Sequence, residues 1–132
     1  MRWLLDANAV IGLLRDRTSP LAQRLRERPP ADVAISAIAI HELFYGAFKS
    51  GRPAHNVALV EALQFAVIEF DREDARQAGE IRALLSASGT GLGPYDVLIA
   101  AQAMARDLVL VTHNTREFAR VPGLRIEDWE LP

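Results

Sequence analysis

Cysteine is absent from this 132-residue chain, which excludes disulfide scaffolds, thiolate zinc sites and cysteine nucleophiles. Lysine is nearly absent too: of the 15 cations only Lys49 is a lysine, and the rest are arginine. Arginine suits bidentate phosphate contacts, yet GC-rich codon usage gives the same bias. No apolar stretch approaches about 18 residues, so no segment reads as a membrane span. The N-terminus lacks the shape of a secretory signal, because Asp6 and Arg15 interrupt its apolar run and no small-residue cleavage site follows. A soluble, cytoplasmic protein is expected. An excess of positive charge is missing as well. The formal net charge of −2 means that the global field does not advertise a nucleic-acid binder.

Half of the residues are apolar, which argues against disorder, and the length suits one domain spanning residues 1–132. The apolar residues fall in short blocks. Residues 2–5, Val33-Ala34-Ile35, Val67-Ile68-Glu69 and Leu108–Val111 read as strands, with a weak fifth at Leu124–Ile126. Between them the spacing predicts helices from Asn8, as N-cap, to Arg15; from Pro20 to the Pro29-Pro30 break; and from the Ser36 cap to about Ser50. Further helices run from Pro53 to about Phe65, with Val57, Val60, Ala62 and Leu63 inward, and from the Asp71/Asp74 capping pair to about Ser88. A last long helix begins at Pro94, and a helical turn lies near Thr115–Ala119. Short, continuously apolar strands alternating with helices predict an α/β fold: a short, mostly parallel central sheet with helices on both faces. Ligands of such folds bind beyond the carboxyl ends of the strands, where Asp6 and Asn114 both fall.

Three apolar blocks meet a carboxylate: Asp6 after the first strand, Glu42 within Ile38–Phe48, and Asp96 ahead of Val97–Ala105. Each has a bland reading. Asp6 can terminate a strand, Asp96 can sit favourably at a helix N-terminus, and Asn114 and Glu117 can be cap and surface residues. Glu42 is harder to dismiss, because His41, Tyr45, Lys49 and Arg52 form the natural solvent stripe and leave it at the margin of the buried face. Were the three acids to converge, each pair about 4 Å apart would repel by about 4 kcal/mol at an effective dielectric of about 20. Such a cluster shifts its pKa values or takes a divalent cation, and all-oxygen ligands favour Mg²⁺ or Mn²⁺. The three histidines, His41, His55 and His113, show no metal-ligand spacing.

The stretches Leu4-Leu5-Asp6-Ala7-Asn8, Ile38 to Gly46, Gly93 to Ala101, and Thr112 to Phe118 with Glu127-Asp128-Trp129 together resemble PIN-domain ribonucleases. Within them, the chain is most similar to VapC toxins of bacterial toxin–antitoxin pairs. The likeness covers essentially the whole chain in order. It implies a PIN-like fold and a Mg²⁺-dependent endoribonuclease in which metal-activated water attacks structured RNA, tRNA by the likeness of this subgroup. It also implies Asp6, Glu42, Asp96 and Asn114 as the catalytic set, with Asp6 and Asp96 as direct metal ligands. Asn8, Thr112, Arg116 and Glu117 would be supporting or substrate-contacting residues. Implied partners are a VapB-like antitoxin and a second copy of the chain, in a homodimer and in a toxin–antitoxin hetero-oligomer. Two departures stand out: Ala7 replaces the usual Thr or Ser, and Asn114 replaces a frequent fourth acid.

Those departures keep a second reading alive, a catalytically impaired PIN-like scaffold that binds RNA or protein. Other classes fit worse. A dehalogenase-like phosphatase needs a second Asp where Asn8 stands, a phosphoacceptor receiver needs a late lysine, and Gly91-Leu92-Gly93 lacks the third glycine of a nucleotide-binding turn.

Overall fold

The apolar triplet Trp3–Leu5 forms β1, the central strand of a five-stranded sheet in the computed structural model, which describes all 132 residues. On one side β1 pairs with β2 (Val33–Ser36), which pairs with β3 (Ala66–Ile68). On the other it pairs with β4 (Val109–Val111), which pairs with β5 (Ile126–Glu127). Every pairing is parallel, so the expected mostly parallel sheet is parallel throughout. Successive residues of a strand point to opposite faces. Ala34 and Ile35 are both fully buried, so both faces of the sheet are covered.

The covering helices are α1 (Ala7–Arg15), α2 (Pro20–Arg26), α3 (Ala37–Lys49), α4 (Pro53–Glu61), α5 (Arg72–Ala87), α6 (Pro94–Ala105) and the single turn α7 (Thr115–Phe118). Their starts follow local chemistry. Ser19 accepts from the Ala22 amide and precedes Pro20 at the first helical position, and Ser36 accepts from the Ile38 amide. At α5, Asp71 and Asp74 bind each other's amides at 3.0 and 2.9 Å, a full capping box.

Several boundaries depart from the sequence expectation. The cap of α1 is Asp6, not Asn8; its Oδ1 accepts from the Ala9 amide at 2.8 Å, and Asn8 lies exposed in the first turn. Helix α4 stops at Glu61 instead of reaching Phe65, and Ala62, expected to face inward, is an exposed cap residue. The chain must straighten there to lay Ala66 beside Ala34. For the same reason β3 begins one residue early, and as an edge strand it leaves Val67 exposed. Strand β5 begins two residues late, at Ile126, which pairs with Leu110.

Two buried networks tie distant segments together. Asp74, 1% exposed, accepts from Arg106 at 3.0 Å, and Gln102 spans the Ile68 and Glu69 carbonyls, fastening α5 and α6 to the end of β3. The Arg28 guanidinium lies between the Trp3 and Trp129 rings, 4.9 and 4.3 Å from their centroids, which holds the C-terminal segment against β1. No helix is long and apolar enough to cross a membrane.

Removing a buried partner from a charged network costs about 3 kcal/mol, whereas losing an exposed cap costs about 1 kcal/mol. Urea unfolding should therefore show Asp74→Ala lowering stability by roughly three times as much as Asp71→Ala. Equal losses would mean that Asp74 acts only as a capping residue.

Candidate active site

The parallel register sets the site. Leu5 lies opposite both Ile35 and Val111, so the residues that follow, Asp6, Ser36 and Thr112, leave the sheet along one edge. Asp6 is 4% exposed, with its amide bonded to the Val111 carbonyl. Its carboxyl is pushed up to about 6, first by burial, against the opposing pull of the Thr112 hydroxyl and the Ala9 amide, with Asp96 and Glu130 adding repulsion. Thr112 is itself buried, and its hydroxyl accepts from the Asn114 amide at 3.0 Å.

Glu42 comes from the middle of α3, the helix that Ser36 starts at the end of β2. It is half-buried at the margin of the apolar face, as its sequence neighbours suggest. Burial raises its pKa, and the charges of Asp96 and Asp6 raise it further. Asp96 sits in the first turn of α6 behind Pro94. Gly93 leaves room for it, since a Cβ there would lie 3.2 Å from Asp96 Oδ2. Burial and then Glu117 raise the Asp96 pKa.

Three distant segments thus deliver carboxylates into one shared field. The fourth position is filled indirectly: Asn114 donates from Nδ2 to Glu117 Oε2 at 3.2 Å and so holds an acid that acts on Asp96. Asn8 and Arg116 are both exposed and make no side-chain hydrogen bond or ion pair, so neither is locked to the acids.

A second constellation escaped the sequence reading. His113 Nδ1 lies 2.9 Å from Asp128 Oδ2 and 3.2 Å from Glu130 Oε2. The available clue was Trp129: a large residue buried at the C-terminus fixes the two acids that flank it. These three side chains form the one trio whose ligand atoms all lie within 4.8 Å of one another; Asp6, Glu42 and Asp96 form a looser set. Mg²⁺ keeps several of its waters, so a looser carboxylate set can reach it partly through water. Donors that are all hard oxygens, with pKa values already raised by burial and mutual repulsion, suit Mg²⁺ or Mn²⁺.

The description of the PIN domain matches residues 3–124. The chain belongs to the PIN-domain family. The chain is 41% identical to a Salmonella typhimurium protein named tRNA(fMet)-specific endonuclease VapC, across 98% of both chains. It is 35% identical to the Haemophilus influenzae ribonuclease VapC2, again across 98% of both. Among solved structures, DNA-bound VapBC from Salmonella typhimurium matches with a TM-score of 0.93, 41% identity and 98% coverage of each chain. VapBC2 of Rickettsia felis, bound to a promoter DNA fragment, matches with a TM-score of 0.90 at 30% identity, covering 98% of this chain and 99% of that chain.

The Asp6 pKa has a thermodynamic consequence. Because the folded value of about 6 lies above the ordinary aspartate value of 3.8, Asp6 favours folding below the lower value, and that contribution is lost as pH rises through the upper one. At neutral pH the ionised, buried carboxylate therefore costs on the order of 3 kcal/mol. Without divalent metal, Asp6→Asn should raise the thermal midpoint by several degrees at about pH 7.5, and most of that gain should vanish near about pH 4. A gain independent of pH would show that ionisation of Asp6 is not its source.

Proposed function

We propose that this chain, acting as one catalytic domain over residues 1–132, is a VapC-type, Mg²⁺-dependent endoribonuclease that cleaves tRNA in the cytoplasm. The observation that carries this reading is the common field of Asp6, Glu42 and Asp96, each with a pKa raised by burial and by neighbouring acids at the carboxyl edge of the sheet. Asp6 and Asp96 hold the cation. When bound, a divalent cation there lowers the pKa of water and offsets charge at a phosphodiester.

The protein's own groups do the rest. The Ala9 amide and the Thr112 hydroxyl keep the Asp6 carboxylate oriented. Glu42, half-buried on α3, would reach the cation through water or position the attacking water. Asn114 fixes Glu117 near Asp96, which supports an intact negative site despite the missing fourth acid.

The tRNA assignment follows the names of the relatives, and the partner assignment follows the VapBC assemblies among the solved relatives. In this reading the chain forms a homodimer that joins a VapB-like antitoxin in a larger complex. A groove of about 410 Å³ beside Glu42, lined by Ile11, Leu14, Leu43, Ala47, Leu59 and Val60, suits an apolar antitoxin segment. A cation on that segment would replace the metal's charge at the acids.

Asp6→Asn and Asp96→Asn should each reduce cleavage of total tRNA by at least about a hundredfold while the far-ultraviolet circular dichroism stays unchanged. Millimolar Mn²⁺ should raise the thermal midpoint of the parent and not that of the Asp6→Asn/Asp96→Asn double variant. An Asp96→Asn protein that cuts RNA as fast as the parent would remove Asp96 from the catalytic set.

A further inference from the structure

We propose that His113, clamped by Asp128 and Glu130, is the residue that holds a substrate phosphate against the acidic rim. The proposal rests on the RNA-cleaving function and deepens it. His113 follows Thr112, whose hydroxyl bears on Asp6, and precedes Asn114, which binds Glu117. Its side chain is 63% exposed, although Nδ1 is occupied by Asp128 at 2.9 Å and by Glu130 at 3.2 Å. The edge left for solvent is therefore the one that carries Nε2.

The clamp is built into the fold. Asp128 Oδ1 accepts from the Glu130 amide at 2.9 Å, and the Asp128 carbonyl accepts from Arg24 at 3.0 Å. Between the two acids, Trp129 is packed edge-on to Trp3 and under the Arg28 guanidinium. Glu130 Oε1 lies over Gly12, only 2.8 Å from where a Cβ would stand. Two carboxylates on Nδ1 favour the imidazolium, and Asp128 and Glu130, with a smaller contribution from Asp6, hold its pKa above the usual histidine range. An imidazolium whose Nδ1–H is engaged has one remaining donor, Nε2–H.

A donor is what the rim otherwise lacks. A phosphate approaching Asp6, Glu42 and Asp96 meets charge of its own sign, and none of those acids forms an ion pair with arginine or lysine. The one basic side chain paired with acids at this rim is His113. Asp128 and Glu130 both engage Nδ1 and leave Nε2–H as the donor not taken up by either acid, so the ring can face a phosphodiester while the cluster beside it stays anionic.

The test uses the full chain and an initiator tRNA transcript as probe. His113→Gln should raise KM about tenfold with kcat within about twofold, the size of one charge-assisted hydrogen bond. In an Asp96→Asn background, where the probe is not cut, the same change should weaken binding about tenfold and lower the slope of log Kd against log salt by about one. His113→Arg should restore that slope. Unchanged KM, Kd and salt slope in His113→Gln would overturn the proposal. A fall in the thermal midpoint without a change in salt slope would overturn it too, by reducing His113 to a fastener of the C-terminus. Loss of Mn²⁺ affinity on His113→Gln would make the trio a metal site and overturn it equally. Should the parent fail to cleave RNA, the catalytic reading falls, and the salt slope still decides the role of His113.

Discussion

The pairing of β1 with a parallel neighbour on each side is the constraint on which the site depends. Leu4 and Leu5 are buried on opposite faces, so a one-residue slip of β1 would exchange the two covered surfaces and turn Asp6 the wrong way. With the register held, the chain leaves β1, β2 and β4 along one edge. Asp6 starts α1, Ser36 starts the helix that carries Glu42, and Thr112 closes over Asp6. The sheet is thus both the core and the instrument that brings together side chains about a hundred residues apart.

The fold accepts an electrostatic cost at that edge. It offers no arginine or lysine to Asp6, Glu42 or Asp96, although it places arginines elsewhere with care. Arg106 compensates the buried Asp74, and Arg28 lies over two tryptophans that meet edge-on. At the rim, compensation is limited to amides, a hydroxyl and helix N-termini. Asp6 caps α1 and Asp96 lies in the first turn of α6, positions where the aligned peptide dipoles favour negative charge. Those partial charges hold the acids in place without neutralising them, which leaves the set open to a cation. The C-terminus adds the opposite arrangement, a solvent-exposed histidine whose pKa two acids raise.

Much of this was legible in local pattern. The five strands, the capping box at Asp71 and Asp74, and the marginal position of Glu42 all follow from hydrophobic period and from hydrogen-bonding groups at helix starts. The boundary errors have a common origin. Asn8 and Asp6 are both competent caps, and only the exit of β1 decides between them. Residues 62–65 are apolar enough to continue α4, but the pairing of Ala66 with Ala34 requires an extended chain instead. Likewise, nothing near His113 in sequence announces Asp128 and Glu130. They meet it because Trp129 is buried against Trp3, a contact across more than a hundred residues.

Alone, the sequence determined the fold class and the order of the elements, and it singled out the acids at the seams of its apolar blocks, because each of these rests on periodicity or on one residue's chemistry within a few positions. Tertiary structure decided which acids share a field, how far each is desolvated, and that Asp128 and Glu130 clamp His113 at Nδ1. Those properties depend on distances through space and on exclusion of water, and both arise only when the strands stand side by side.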